Sequence, residues 1–171
     1  MAKRPVSFVT NPTETEPWLE PIGKLITNFG AIELHTYWWV AALSGSVEKS
    51  RAMLRSRIQF GKRADFVLKQ LDDPMWESIR DQAHPIWIQA KEMAKFRNSF
   101  AHNPLAFFAP KDDKLEPWAG IPDVTRLREP KETRDRLATL EELNIKINEI
   151  YELAIKLFDV LEKVDRIRGY A

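Results

Sequence analysis

Arg97, Asn98 and His102 stand within six residues of one another in Arg97-Asn98-Ser99-Phe100-Ala101-His102, at the end of a long helical pattern and just before Asn103-Pro104. An arginine presents a planar fork that matches a phosphate, and a histidine carries a proton near neutral pH. With Asn98, the pair could address a single phosphodiester. Helical geometry qualifies the arrangement: a step of five residues rotates by about 140° and rises about 7.5 Å, so Arg97 and His102 do not share a narrow stripe. Asn98 and His102, four apart, do.

The rest of the chain limits what chemistry can accompany this motif. A chain of 171 residues is most simply one domain, large enough to bury a substantial core. With no cysteine there are no disulfides, thiol nucleophiles or thiolate metal sites, and the three scattered histidines form no His-x-x-x-His pair. The expected chemistry is therefore metal-free and needs no cofactor. Charge is nearly balanced, 26 basic against 25 acidic side chains, so an RNA substrate would be held by a local site and not by a global basic field. The start, Met1-Ala2-Lys3-Arg4-Pro5, is followed by no apolar run, and no segment reaches the roughly 20 apolar residues of a membrane span. A soluble, cytoplasmic protein without a membrane partner is the expectation.

The elements that must position the motif read as an all-α fold, an antiparallel bundle of four long helices. Residues 1 to 16, with Pro5, Pro12 and a Thr/Glu cluster, read as a flexible N-terminal arm, and residues 17 to 171 as a single helical domain. The first helix is predicted over Trp18 to Leu43, with Ile22, Ile26, Phe29, Thr36 and Val40 on one stripe that also contains Glu33. Ser44-Gly45-Ser46 supplies a stop and a new N-cap. A second helix is predicted from Val47 to Leu71, with Leu54, Ile58, Phe66 and Leu68 among its apolar residues, ended by Asp72-Asp73-Pro74. The third runs from about Met75 to His102, with Pro85 expected to break or kink it near His84, so that the main rod starts at Pro85. In that rod Ile86, Ala90 and Met93 lead to Arg97, which leans towards packed surface.

Residues 104 to 133 contain five prolines among short apolar pieces and read as an irregular insertion, a long loop with a small hairpin. The fourth helix opens on a capping box, Thr139 with Glu142. Its seam of Leu140, Leu143, Ile147, Ile150, Ala154, Leu157, Leu161 and Val164 is widened by Tyr151 and Phe158.

The pattern Arg-Asn-x-x-Ala-His at the end of the third helix, followed by a loop and a heptad-rich fourth helix, resembles the HEPN superfamily. Its members are small helical bundles with an R-x(4 to 6)-H motif and a polar residue, often Asn, directly after the Arg. The resemblance in architecture covers residues 17 to 168, and its specific part is Arg97, Asn98 and His102. It implies a metal-independent endoribonuclease, typically a toxin with an antitoxin partner or a phage-defence effector. It also implies a homodimer that joins two motifs in one composite cleft. The chain departs from the HEPN toxins that carry a Tyr two residues after the His, because Pro104 stands there. Inactivation by modification of that Tyr is not implied.

Metal-free RNA cleavage needs a proton taken from the 2′-hydroxyl, a stabilised negative phosphorus and a proton given to the leaving 5′-oxygen. His102 suits proton transfer, Arg97 the electrostatic clamp, and Asn98 either the phosphate or the His102 tautomer. One motif histidine per chain leaves the second transfer to a symmetric copy, and a 2′,3′-cyclic phosphate is the expected product. In the structural alternative, Arg97 pairs with an acidic side chain within the bundle and His102 caps the helix C-terminus. The protein is then a catalytically silent helical dimer that binds a protein or a nucleotide.

Glu33, a carboxylate on an apolar stripe, needs a partner and could hold Arg97 in place; alternatively it reaches solvent. His35 beside Tyr37, Trp38 and Trp39 reads as core or dimer interface in preference to a base-stacking platform. His84 is expected to be exposed at the proline kink. The basic run Lys49, Arg51, Arg55, Arg57, Lys62 and Arg63 falls on several helix faces and reads as solvated surface.

Overall fold

Ser44, Gly45 and Ser46 show how local chemistry sets the first boundary of the fold. Gly45 adopts φ +64°, a left-handed conformation open to glycine at little cost, and this ends the first helix. The Ser46 hydroxyl then accepts the Lys49 N–H at 3.1 Å and starts the next one.

The computed structural model describes residues 12–56, 58–102, 106–108, 118–120 and 139–169. Their helices are α1 (Pro12–Ser44), α2 (Val47–Arg55), α3 (Phe60–Leu71), α4 (Glu77–His102) and α5 (Leu140–Arg168). A single 3-10 turn, Pro74–Trp76, precedes α4, and the strands β1 (Ala106–Phe108) and β2 (Trp118–Gly120) form an antiparallel hairpin pairing Phe107 with Ala119. The fold is thus dominated by helices, with the small hairpin between the last two. The rest of the proline-rich stretch and residues 1–11 lie outside the described residues.

Several boundaries differ from the sequence expectation. The first helix starts at Pro12 and not at Trp18, and it contains Pro17 and Pro21. Proline at the first helical position is already set to a helical φ and lacks only an N–H that would be unpaired there anyway. The second predicted helix is two. Residues 56–59 separate α2 from α3, whose own stripe of Phe60, Ala64, Val67 and Leu71 is fully buried, whereas the only buried residue of α2 is Ser50. Pro85 does not break α4, which is continuous from Glu77. Pro85 and Asp81 are both exposed, so the hydrogen bond that the proline removes lies on the outer side of the helix. On the opposite side Ile79, Ala83, Trp87 and Ala90 are buried and hold the helix through the site of the lost bond. His84 is half-buried in the running helix, not exposed at a kink.

The chain divides into two compact units, one from the described parts of residues 1–26 and 96–147, the other from residues 27–95 and 148–171. In the first, Trp18, Leu25, Phe100, Leu143 and Ile147 are buried. The capping box at the start of α5 is formed as expected: Glu142 N–H donates to Thr139 Oγ1 at 3.1 Å, and Thr139 N–H donates to Glu142 Oε2 at 2.8 Å.

The second unit has an aromatic core. Phe29 of α1 meets Phe60 of α3 edge to face at 5.1 Å, Phe60 meets Trp87 of α4 at 6.4 Å, and Trp87 meets Trp39 of α1 at 5.5 Å. Such pairs add roughly 0.5–1.5 kcal/mol each beyond area burial. The Trp39 indole N–H donates to the Leu157 carbonyl at 3.1 Å and ties α1 to α5 across 118 residues of chain. The buried stripe of α1 in this unit is Phe29, Ile32, Thr36, Trp39, Val40 and Leu43, rotated from the predicted one, and Ile26, at the edge of the other unit, is exposed. On α5, Ile150, Leu153, Leu157, Val160, Leu161 and Val164 are buried, while Tyr151 and Phe158 point outwards and do not widen the seam.

Two arginines close helix ends in this unit. Arg80 donates to the Leu71 and Asp72 carbonyls, both at 2.8 Å, at the end of α3. Arg168 donates to the Ala42 carbonyl at 3.0 Å and to that of Leu43 at the end of α1, and its guanidinium lies 5.2 Å from the Trp76 ring. Each supplies donors to carbonyls that have no partner within their own helix.

Candidate functional site

The motif occupies the last six residues of α4, in the unit that contains residues 96–147. Arg97 is half-buried and Asn98 exposed, and the helix ends at His102. Phe96, the residue before this segment, and Phe100 within it pack ring against ring at 4.9 Å, and Phe100 is buried. Phe100 therefore fixes the rotation of the last turns. Arg97 lies about 60° from it around the helix, and Asn98 on the open side about 160° away. The expected lean of Arg97 towards packed surface agrees with its half-burial. His102 follows Asn98 by four residues, which places the two Cα atoms on one side of the helix, about 6 Å apart along its axis.

Glu33 belongs to the other unit. Its carboxylate stands 3.9 Å from the Arg63 guanidinium, whose side chain is only 12 % exposed. Arg63 is thus not part of the solvated basic surface, although Lys49, Arg51, Arg55 and Lys62 are exposed as expected. Burial pulls the Arg63 pKa down while Glu33 pushes it up, and Arg63 Nε is buried with no hydrogen-bond partner. The carboxylate on the α1 stripe has a cation beside it, supplied by α3. Arg57 lies outside the described residues.

A concave feature lies within the unit of residues 27–95 and 148–171. His35, Trp38, Phe158, Leu161 and Asp165 line a groove of about 390 Å³ that continues over Ala41 to Val47. The His35 ring stands edge to face with Phe158 at 6.3 Å, and His35 Nδ1 is buried with no hydrogen-bond partner. Burial pulls the His35 pKa below its ordinary value, and burial together with nearby Glu162 pushes that of Asp165 up. The aromatic cluster around His35 divides: Trp39 is core and Trp38 is half-exposed. The sequence marks the cluster but not the part that Phe158 plays in it, because the heptad spacing places Phe158 with the seam of α5.

Among the described residues no three acidic, histidine or cysteine side chains gather into a metal-binding group, and no helix is long and apolar enough to cross a membrane. No family model matches the chain, and neither a curated protein nor a solved structure does.

Proposed function

We propose that the protein is a metal-independent endoribonuclease of HEPN type, built around an antiparallel helical bundle and acting in the cytoplasm as a homodimer. The observation that carries the reading is the motif itself at the end of one continuous helix, with Asn98 exposed and Arg97 half-buried. The planar Arg97 fork matches a phosphate, and its apolar stem suits a half-buried position.

In the proposed reaction neutral His102 takes the proton from a ribose 2′-hydroxyl. The 2′-oxygen attacks the adjacent phosphorus, and the bond from phosphorus to the 5′-oxygen breaks. His102 of the partner subunit, protonated, gives its proton to that leaving oxygen, and a 2′,3′-cyclic phosphate and a 5′-hydroxyl result. Arg97 stabilises the negative charge that builds on the non-bridging oxygens, and Asn98 orients the phosphate or the imidazole. A toxin restrained by an antitoxin, or a phage-defence effector, is the setting this activity suits.

The test is incubation of wild type and His102→Ala with mixed cellular RNA in EDTA, reading fragments and their 3′ ends. Cleavage by wild type alone, leaving cyclic phosphate ends, is expected, with a loss of about 10²–10⁴-fold in the variant. Cleavage that requires a divalent metal, or that His102→Ala retains, overturns the mechanism. The second reading is the catalytically silent helical dimer that binds a protein or nucleotide, and the exposed aromatic surface beside His35 favours it. Absence of cleavage by both proteins would move the weight to this reading.

A further inference from the structure

Trp38 and Ala41 are three residues apart on α1, and Gly45 stands just past its end, so this side of the helix thins from a ring to a methyl group to a hydrogen. On α5 Phe158 and Asp165 are two turns apart on one side. Where the first stripe thins beside the second, a groove of about 390 Å³ remains, lined by these five residues with His35. Its size falls within the roughly 300–1,000 Å³ of small-molecule sites, and its lining matches theirs, apolar and aromatic with a few polar groups. Trp38 and Phe158 are both half-exposed, yet both are already held. Tyr37 meets Trp38 edge to face at 4.9 Å, and His35 meets Phe158 in the same way at 6.3 Å. A ring fixed beforehand loses little freedom when a ligand binds.

We propose that this groove binds an arylalkyl ammonium ion, with the ring of the ligand against Trp38 and Phe158 and its nitrogen on the Asp165 carboxylate. Charge decides for a cation. No cation among the described residues pairs with Asp165, whose pKa is pushed up by burial and by Glu162. Glu162 itself pairs with Arg166 at 3.6 Å. Arg168, which also comes near Gly45, is turned to the Ala42 and Leu43 carbonyls and to the Trp76 ring. Burial holds the pKa of His35 below its ordinary value, so at neutral pH the imidazole adds no opposing charge. An ammonium gives Asp165 the charge-assisted partner it lacks, and the aromatic faces attract the same charge. A phosphate-bearing ligand meets repulsion from that carboxylate instead. Spacing sets the length of the ligand: Phe158 and Asp165 are about 10.5 Å apart along α5, and a charge-assisted contact takes about 3 Å of this, so a ring-to-nitrogen distance of about 7 Å fits. The inference goes beyond the proposed function, because none of these residues belongs to the Arg97–His102 motif and the groove does not depend on RNA cleavage.

The experiment is two-dimensional proton–nitrogen NMR of the full chain at neutral pH, following the Trp38 indole N–H, which is assigned by its loss in Trp38→Phe. The probes are 3-phenylpropylamine, its neutral counterpart 3-phenylpropanol, and propylamine, which lacks the ring. The aromatic amine is expected to give a saturable shift, and the alcohol and propylamine each to bind about tenfold or more weakly. Asp165→Asn keeps the shape of the side chain and removes its charge, so in that variant the aromatic amine and the alcohol should bind equally. Circular dichroism and thermal melting verify its fold. The inference is overturned if the aromatic amine gives no saturable shift, if wild type binds amine and alcohol equally, or if a folded Asp165→Asn retains the preference. The comparison of amine with alcohol in wild type needs no variant, so it decides even where Asp165→Asn disturbs the fold.

Discussion

Arg97 and Asn98 ride on the last turns of α4, where a single buried ring, Phe100, orients side chains whose types suit a phosphate. In the unit containing residues 27–95 and 148–171 the proportions reverse: Phe29, Phe60, Trp87 and Trp39 form a chain of packed rings, and the surface outside that core is itself aromatic. The first region offers polar chemistry on a lightly specified support. The second offers a heavily specified support and a largely apolar surface. The difference teaches that the residues suited to phosphate chemistry and those that specify the fold are separate, so a change in one set can be read apart from the other.

The most severe test of this separation is Trp39→Ala. It removes a fully buried ring and the hydrogen bond to the Leu157 carbonyl, and a cost of about 3–5 kcal/mol is expected in denaturant unfolding. Trp39→Phe should keep most of the packing and lose about 1 kcal/mol with the N–H. If both substitutions cost under 1 kcal/mol, the aromatic chain is not what specifies this unit.

Arg168→Ala probes the same unit at its edge. The change removes two charge-assisted hydrogen bonds to the end of α1 and the stacking on Trp76, so a loss of about 1.5–3 kcal/mol is expected. Arg168→Lys, with a point charge in place of a fork, should recover less than half. Full recovery by lysine would show that the charge alone matters at this helix end.

Much of the helical plan was legible because its signals are local. Gly45 and Ser46, Asp73 and Pro74, and the reciprocal bonds of Thr139 and Glu142 each act within four residues, and they end or start helices where the sequence indicated. Rotation about the helix axis was less legible. On α1 the apolar residues Ile22, Leu25, Ile26, Phe29 and Ile32 populate more than one side, and only the neighbouring helices select Leu25, Phe29 and Ile32 for burial. The same ambiguity put Tyr151 and Phe158 into the seam. The break after α2 has no glycine or proline to announce it, since residues 56–59 are Ser, Arg, Ile and Gln. At Pro85 the local rule was overridden by burial on the opposite side of α4. As for the candidate site, the motif was legible as residue types and spacing, while the Arg63 beside Glu33 and the groove beside His35 depend on contacts between distant segments.

The smallest expected effect concerns His35, a titratable ring on the apolar face. Burial lowers its folded-state pKa below the ordinary value of about 6.5, so the unfolded chain binds the proton first as pH falls. Its contribution is therefore fully present above pH 6.5 and is lost as pH falls from there through the folded pKa. Asp165 has the opposite sign, because its raised pKa makes the folded state bind protons more tightly, and its effect sets in at lower pH, within the carboxylate range. Denaturant midpoints from pH 7.5 to 5 should decline for wild type by more than for His35→Gln, which has no proton to gain. Equal declines for the two proteins would show that folding leaves the His35 ring as solvated as in the unfolded chain.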